Sequence, residues 1–300
     1  MRVRVAATSA NLGPGFDCLG VTLGLYNEFR FAPAEEQAFR VVSEAYPVEA
    51  QKMSADRRNL VQQAFAHLCR HIDAPIPTVS IEVDMGVPLG RGLGSSATAI
   101  VGGIAAANAW HGSPLSTPEW LQLAVELEGH PDNVVPAALG GCQLSVLTLN
   151  GLLTCPVAWH PAIVPVVAVP DFKLATSKAR AALPVTVPHT DAVYNAARTG
   201  LLIRGLESGC GEWLIEALQD RLHQPYRAAL IPGWQTVRQA ALDLGAWGVV
   251  ISGAGPSLLA LVPAEQAEAI ATAMQVAWEE HSTHATIYKP GIEPDGCVVV

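Results

Sequence analysis

Apolar and polar residues alternate over residues 2–8, the period of a strand with one buried face. β-prone residues return over 19–31, interrupted by Gly20 and Gly24, so the chain opens as hairpin-like antiparallel sheet. The period then lengthens to that of a helix over 57–71, where Leu60, Val61, Ala64, Phe65 and Leu68 fall on one stripe. A strand is predicted at 78–84, followed by a glycine-rich loop and a helix of small residues over 95–110. Ser116, Thr117, Pro118 and Glu119 form a capping box with proline in the first turn, which starts a helix running to Glu128. Glycine and proline at 129–131 break it.

The second half mixes strands and helices without a βαβ rhythm. Strands are predicted at 163–169, 249–252, 258–262 and 284–289, and helices at 190–207, 211–220, 235–244 and 264–279. The pattern predicts an α+β fold over a doubly wound sheet, and no fixed-period repeat is present. Turn chemistry at Asn150 and Gly151 predicts a boundary there between two domains, 1–150 and 151–300.

Composition sets limits on the partners. Half of the 300 residues are apolar, enough for a large core, and the formal charge of −9 comes with only four lysines, Lys52, Lys173, Lys178 and Lys289. Such a chain lacks the basic face that nucleic acid or an anionic membrane requires. Its most apolar stretch, 157–170, is cut by His160 and three prolines, and the alternating N-terminus has no apolar signal core. The six cysteines show no CxxC spacing, so ordinary thiols in a reducing cytoplasm are expected. If this acidic chain binds anions, it must hold them with backbone and a few chosen side chains.

One segment is built for that task. Pro88, Leu89, Gly90, Arg91, Gly92, Leu93, Gly94, Ser95, Ser96 and Ala97 put three glycines and two serines at a predicted helix start. Glycine lets backbone approach a ligand, and the free N–H groups of a first helical turn favour phosphate oxygens. The segment has no lysine, so it is not a Walker A loop, and its glycine spacing is not that of a dinucleotide fingerprint. A glycine turn chosen for tight packing would read similarly. A serine hydroxyl at the helix mouth can also ligate Mg²⁺.

This loop resembles the phosphate loop of the GHMP kinases, the superfamily that includes galactokinase, mevalonate kinase and homoserine kinase. Two further segments match that family in order, Ala7 to Asp17 and Ile251 to Ser257. The form of the first, together with Glu126-Leu-Glu-Gly-His-Pro-Asp-Asn133, resembles the homoserine kinase branch. The resemblance implies a two-domain architecture, an N-terminal ATP-binding α/β domain and a C-terminal α+β domain. It further implies phosphorylation of the L-homoserine hydroxyl for threonine biosynthesis, with ATP and Mg²⁺, in a homodimer.

Residue by residue, the resemblance implies ATP phosphates on Pro88 to Ala97 and adenine near Asn59, although Asn59 before an apolar helical run is equally an N-cap. It implies Mg²⁺ on Ser96, with Ser95 as the alternative, and on a helix-end glutamate. Helical register favours Glu126, with Glu128 two residues on. Asn11 and Asp17, which composition alone would allow as a turn, would contact the amino acid, Asp17 facing its ammonium. Arg180, Arg227 and His130 would complete that grip, with guanidinium forks matched to a carboxylate. Thr176 would approach the γ-phosphate. Asn133 stands where related kinases carry an aspartate base, so the resemblance implies a route in which the γ-phosphate takes the hydroxyl proton while Asn133 and His130 orient the hydroxyl.

Overall fold

In a computed structural model, which describes residues 1–54 and 59–300, the first half of the chain forms one sheet with helices packed against it. Its elements in order are β1 (Arg2–Ala10), β2 (Leu19–Pro33), β3 (Ala38–Val42), α1 (Pro47–Ser54), α2 (Leu60–His71), β4 (Val79–Met85), α3 (Ser95–Trp110), α4 (Thr117–Glu128), α5 (Pro131–Leu139), β5 (Cys142–Thr148) and β6 (Gly151–Val157). The second half supplies β7 (Ile163–Pro170), α6 (Thr176–Ala181), α7 (His189–Ser208), α8 (Gly211–Ala217), α9 (Gln224–Ala228), α10 (Trp234–Asp243), β8 (Gly248–Ile251), β9 (Leu258–Pro263), α11 (Ala267–Glu279), β10 (Ala285–Tyr288) and β11 (Cys297–Val299). Residues 57 and 58 of the expected helix lie outside the described residues.

The periodicities act as physics requires. In β4 the alternate residues Val79, Ile81, Val83 and Met85 are buried while Ser80, Glu82 and Asp84 between them are not. On α2, Val61, Ala64, Phe65 and Leu68 enter the core, whereas Leu60 in the first turn is 40% exposed at the rim of the cleft described below. Phe65 stacks on Phe31 of β2, and truncating it to alanine would cost about 3–5 kcal/mol in lost burial and cavity formation. α3 is so rich in small residues that it is buried along most of its length between α2, α4 and the sheet.

The first sheet has the order β11-β1-β2-β4-β3, with β5 pairing the start of β2 and β6 pairing β5. Only β3 and β4 are parallel. The long β2 changes partners along its length: Leu19 to Val21 pair with β5, while Asn27 to Pro33 pair with β4. The β1–β2 register shifts between Ala6 and Ala7, where β2 passes from one partner to the other. The second sheet, β10-β7-β9-β8, is antiparallel throughout. The architecture is thus α+β, in two layered halves.

The expected boundary at 150 does not match the sheets. Asn150 and Gly151 lie at the tip of the β5–β6 hairpin, where Thr148 faces Gly151, and β6 remains in the first sheet. Asn-Gly chemistry serves a hairpin as well as a linker, so the turn was readable but its context was not. The sheets divide the chain between β6 and β7, and β11 returns from the far end of the chain to pair with β1.

Candidate active site

The loops 11–18, 86–94, 171–175 and 252–257 meet between the two halves and are stitched by backbone. Thr8 N–H donates to Leu93 O at 3.1 Å, Gly253 N–H to Ala10 O at 3.1 Å, Ser257 N–H to Arg91 O at 3.3 Å and Leu174 N–H to Gly90 O at 3.0 Å. Beside them lies a cleft of about 390 Å³. It runs from an apolar end at Phe29, Phe39, Met53 and Leu60, past the glycine loop, to a polar end at Asn11, Asp17, Glu128, His130 and Arg180.

Two glycines of the loop cannot be replaced. Gly92 and Gly94 have φ of 75° and 66°, and Gly94 is the left-handed N-cap of α3. A Cβ on Gly92 would stand 2.2 Å from Ser252 O, and one on Gly94 only 1.9 Å from Thr8 Oγ1. The loop is therefore pressed against β1 and the 252–257 turn, and Ser252 Oγ donates to Gly92 O at 2.6 Å. Above it, the first N–H groups of α3 precede the first helical bond, which Thr98 N–H makes to Gly94 O. This is a backbone cradle for anions that needs no lysine.

The side chains of that segment divide. Pro88, Leu89, Gly90, Gly92, Leu93, Gly94, Ser95 and Ser96 line the cleft, but Arg91 and Ala97 do not. Arg91 turns away and is buried, donating to Glu49 Oε1 at 2.8 Å, Pro170 O at 2.9 Å and Asp171 O at 3.1 Å. Its charge is neutralised by Glu49 of α1, so it braces the loop instead of meeting phosphate. Ala97 packs in the core below. Asn59 Oδ1 caps α2 by accepting from Gln62 N–H at 2.8 Å, and the residue also lines the apolar end of the cleft.

Geometry separates Glu126 from Glu128. Residues two apart on a helix point about 200° from each other, so Glu126 and Glu128 cannot share a direction. Glu126 is exposed and accepts from Gln122 Nε2 at 3.4 Å. Glu128, the last residue of α4, accepts from Ser96 Oγ at 2.6 Å and lines the cleft. A hydroxyl and a carboxylate held together at a helix mouth are the hard oxygen donors that suit Mg²⁺.

At the polar end, Asn11 and Asp17 are held in left-handed backbone, with φ of 72° and 56°. Asn11 Oδ1 accepts from Asp17 N–H at 3.0 Å while its Nδ2 donates to Gly253 O at 2.9 Å, which locks the loop to the second half. Arg180, carried on α6, makes a two-point pair with Asp17, at 3.1 and 2.9 Å. That hydrogen-bonded pairing raises the Arg180 pKa further. Arg227 on α9 is 2% exposed, and among the described residues its Nε has no hydrogen-bond partner. Burial, then the nearby Arg180, lower its pKa, the condition of a cation placed to receive an anion.

His130 and Asn133 flank the buried Asp132 at the start of α5. His130 Nδ1 and Asp132 Oδ1 are 2.5 Å apart. Burial opposes the imidazolium, yet the Asp132 bond and charge, with Glu128 beyond, outweigh it and raise the His130 pKa above its ordinary value. Asn133 Oδ1 accepts from Thr8 Oγ1 at 2.7 Å, fixing the amide. Thr176 also lines the cleft. Neither Thr8, inside β1, nor Asp132, one polar residue among several near the start of α5, carries a local sequence signal of its partner.

Comparisons with known proteins identify the family to which the chain belongs. The model of the GHMP kinases N terminal domain matches residues 59–141, and that of the GHMP kinases C terminal domain matches 202–280. The homoserine kinase of Gloeobacter violaceus is 65% identical over 299 residues, covering 100% of this chain and 98% of that protein. The homoserine kinase of a Nostoc species is 52% identical, covering 98% and 97%. The crystal structure of homoserine kinase from Cytophaga hutchinsonii matches with a TM-score of 0.87 at 29% identity, covering 100% of this chain and 97% of that one.

Proposed function

The chain belongs to the GHMP kinases and, within them, to the homoserine kinases, and from that premise we propose how its cleft phosphorylates L-homoserine with ATP. The γ-phosphoryl group passes to the side-chain hydroxyl oxygen, giving ADP and O-phospho-L-homoserine. The product is read as an intermediate of threonine biosynthesis in the cytoplasm.

The observation that carries this reading is the meeting of opposite charges at the end of the cleft beyond the glycine loop. Asp17 and Arg180 already form a two-point pair there, and Arg227 Nε lies buried without an acceptor. A zwitterion can replace that pair, its ammonium on Asp17 and its carboxylate on the two arginines, whereas a neutral alcohol would break it without compensation. Asn11 and His130 bound the same space.

The triphosphate rests on the Gly90 to Ser96 backbone, Thr176 approaches its γ end, and adenine lies between Asn59 and the apolar wall. Ser96 and Glu128 would hold Mg²⁺, which would supply charge neutralisation for the transferring group. Asn133, an amide pinned by Thr8, cannot take a proton, so it and His130 position the hydroxyl, and the proton leaves with the phosphoryl oxygens. A loose phosphoryl transition state depends more on positioning and charge than on a strong base. The active species is proposed as a homodimer, a reading that the exposed Leu147, Leu149 and Leu153 of the β5–β6 hairpin support. Analytical ultracentrifugation checks it.

An assay coupling ADP release to homoserine, mevalonate and a sugar in turn tests the substrate. Turnover with homoserine alone is expected. Turnover with another alcohol and none with homoserine would overturn the reading.

A further inference from the structure

His223 is completely buried, 0% exposed, and has no part in the chemistry just described. It precedes α9 and touches both sides of the polar end. Its Nε2 lies 2.8 Å from Gly13 O, and its Nδ1 lies 3.3 Å from Arg227 Nη1. Its ring stacks on Phe16 at 5.0 Å between centroids, and the Arg227 guanidinium lies over the same Phe16 ring, 5.2 Å from its centroid.

These partners leave one protonation state. A carbonyl oxygen only accepts, so Nε2 carries the hydrogen; a guanidinium only donates, so Nδ1 is bare. Burial lowers the His223 pKa and keeps that neutral form, although Asp220 pulls the other way. Asp220 Oδ2 stands 3.6 Å from Nε2, too far for a hydrogen bond, and it is committed instead to the backbone N–H groups of His223 and Gln224 at 2.9 and 2.7 Å. The second oxygen, Oδ1, accepts from Leu222 N–H and Asn195 Nδ2. Asp220 therefore fixes the main chain of His223, and the ring is free to bridge Gly13 and Arg227.

The consequence falls on Arg227. Its Nη1 donates to His223 Nδ1 and to Gly253 O, at 2.9 Å for the latter, which uses both hydrogens of that nitrogen. What remains toward a ligand is the edge that contains the unpartnered Nε. Gly253 O also accepts from Asn11 Nδ2, so His223 and Gly253 together tie Arg227 to the Asn11–Asp17 loop. We infer that His223, as its Nε2–H tautomer, is a positioning residue that sets which edge of Arg227 faces the substrate carboxylate and holds it in register with the Asp17 loop. This rests on the proposed role of Arg227 in carboxylate binding.

The test is a set of three variants with KM read separately for each substrate. Arg227→Met should raise the homoserine KM, and if it does not, the reading of Arg227 fails. Given that rise, His223→Leu should raise the homoserine KM about tenfold or more with little change in the ATP KM. His223→Asn, whose Oδ1 can stand near the place of Nδ1, should restore most of the loss. In the Arg227→Met background, His223→Leu should add no further rise. Equal increases for both substrates, no effect in a folded His223→Leu protein, or no rescue by asparagine would overturn the positioning role while leaving that of Arg227 intact. Wild-type protein labelled with nitrogen-15 histidine offers a readout that needs no His223 variant: one buried histidine should show a bare Nδ1 and a protonated Nε2 at neutral pH. The opposite tautomer or a charged ring at His223 would also overturn it.

Discussion

The two ends of the cleft are assembled by different rules. The glycine-loop end, proposed to take the phosphates, is one continuous run, residues 88–96, whose shape follows from glycines at positive φ and from a helix that begins at Ser95. The polar end draws on loop 11–17, the α4–α5 junction, α6, α9 and Gly253, segments separated by more than two hundred residues of chain. Backbone holds the first, so composition hardly matters to its charge. Paired side chains hold the second, so each of its charges needs a partner delivered by the fold. An acidic, lysine-poor chain can thus serve anions at both ends by two routes.

The sharpest break in that contrast is expected at Gly94. Gly94→Ala adds backbone strain of about 1–3 kcal/mol at a left-handed position and a Cβ only 1.9 Å from Thr8 Oγ1. Since Thr8 pins Asn133, the damage should reach both ends, with kcat/KM for ATP falling roughly 100-fold or more. Gly112→Ala is the control, because Gly112 has a φ of 78° but nothing within 4 Å of a new Cβ. Equal losses from the two variants would show that strain alone, not the close approach, explains Gly94.

Next comes the glutamate pair. Glu128→Gln should lower kcat by about 100-fold and weaken the dependence on Mg²⁺, as expected for loss of a charge-stabilising group, while Glu126→Gln stays near wild type. The reverse order in a Mg²⁺ titration would restore Glu126 to the site.

The polar end should respond more selectively. Asp17→Asn leaves Arg180 without its two-point partner and should raise the homoserine KM by about 10–100-fold, the scale of a lost charged hydrogen bond, with the ATP KM little changed. A parallel rise in both constants would mean that the two ends are not separable.

The mildest effects concern stability. Asn59→Ala removes the α2 N-cap and should cost about 1 kcal/mol in urea unfolding. For His130, the folded pKa lies above the unfolded value, so its pairing with Asp132 stabilises fully below the ordinary imidazole pKa of about 6.5 and fades as pH rises through the folded value. The stability gap between wild type and His130→Gln should therefore be widest in mild acid and narrow in alkali. A gap that widens with rising pH would contradict the sign. Near-normal turnover of this variant at saturating substrate would also exclude His130 as a base.

Much was readable locally. The helix at Ser95–Trp110, the capping box at Ser116, the alternation in β4 and the glycine loop all depend on neighbours within a few residues, so their periods and caps stood in the sequence. Short elements were not readable: α5, with proline inside it, and α9, only five residues long, have no period to detect and exist because packing holds them. The same limit applies to Glu126 and Glu128. A sequence places two carboxylates near a helix end, but which one meets Ser96 depends on the angle at which α4 lies against α3.

By itself, then, the sequence determined that a glycine loop would open a helix with free N–H groups at its start, because glycine conformations and helix termini are local properties. It also determined the class of residues at the polar end. The tertiary structure alone decided that Arg91 turns away from the cleft to a buried pair with Glu49, that Arg180 meets Asp17, that Thr8 holds Asn133 and that His223 sits behind Arg227. Those pairings join residues distant in the chain, and a charge or amide takes its role from the partner that folding brings within about 3 Å of it.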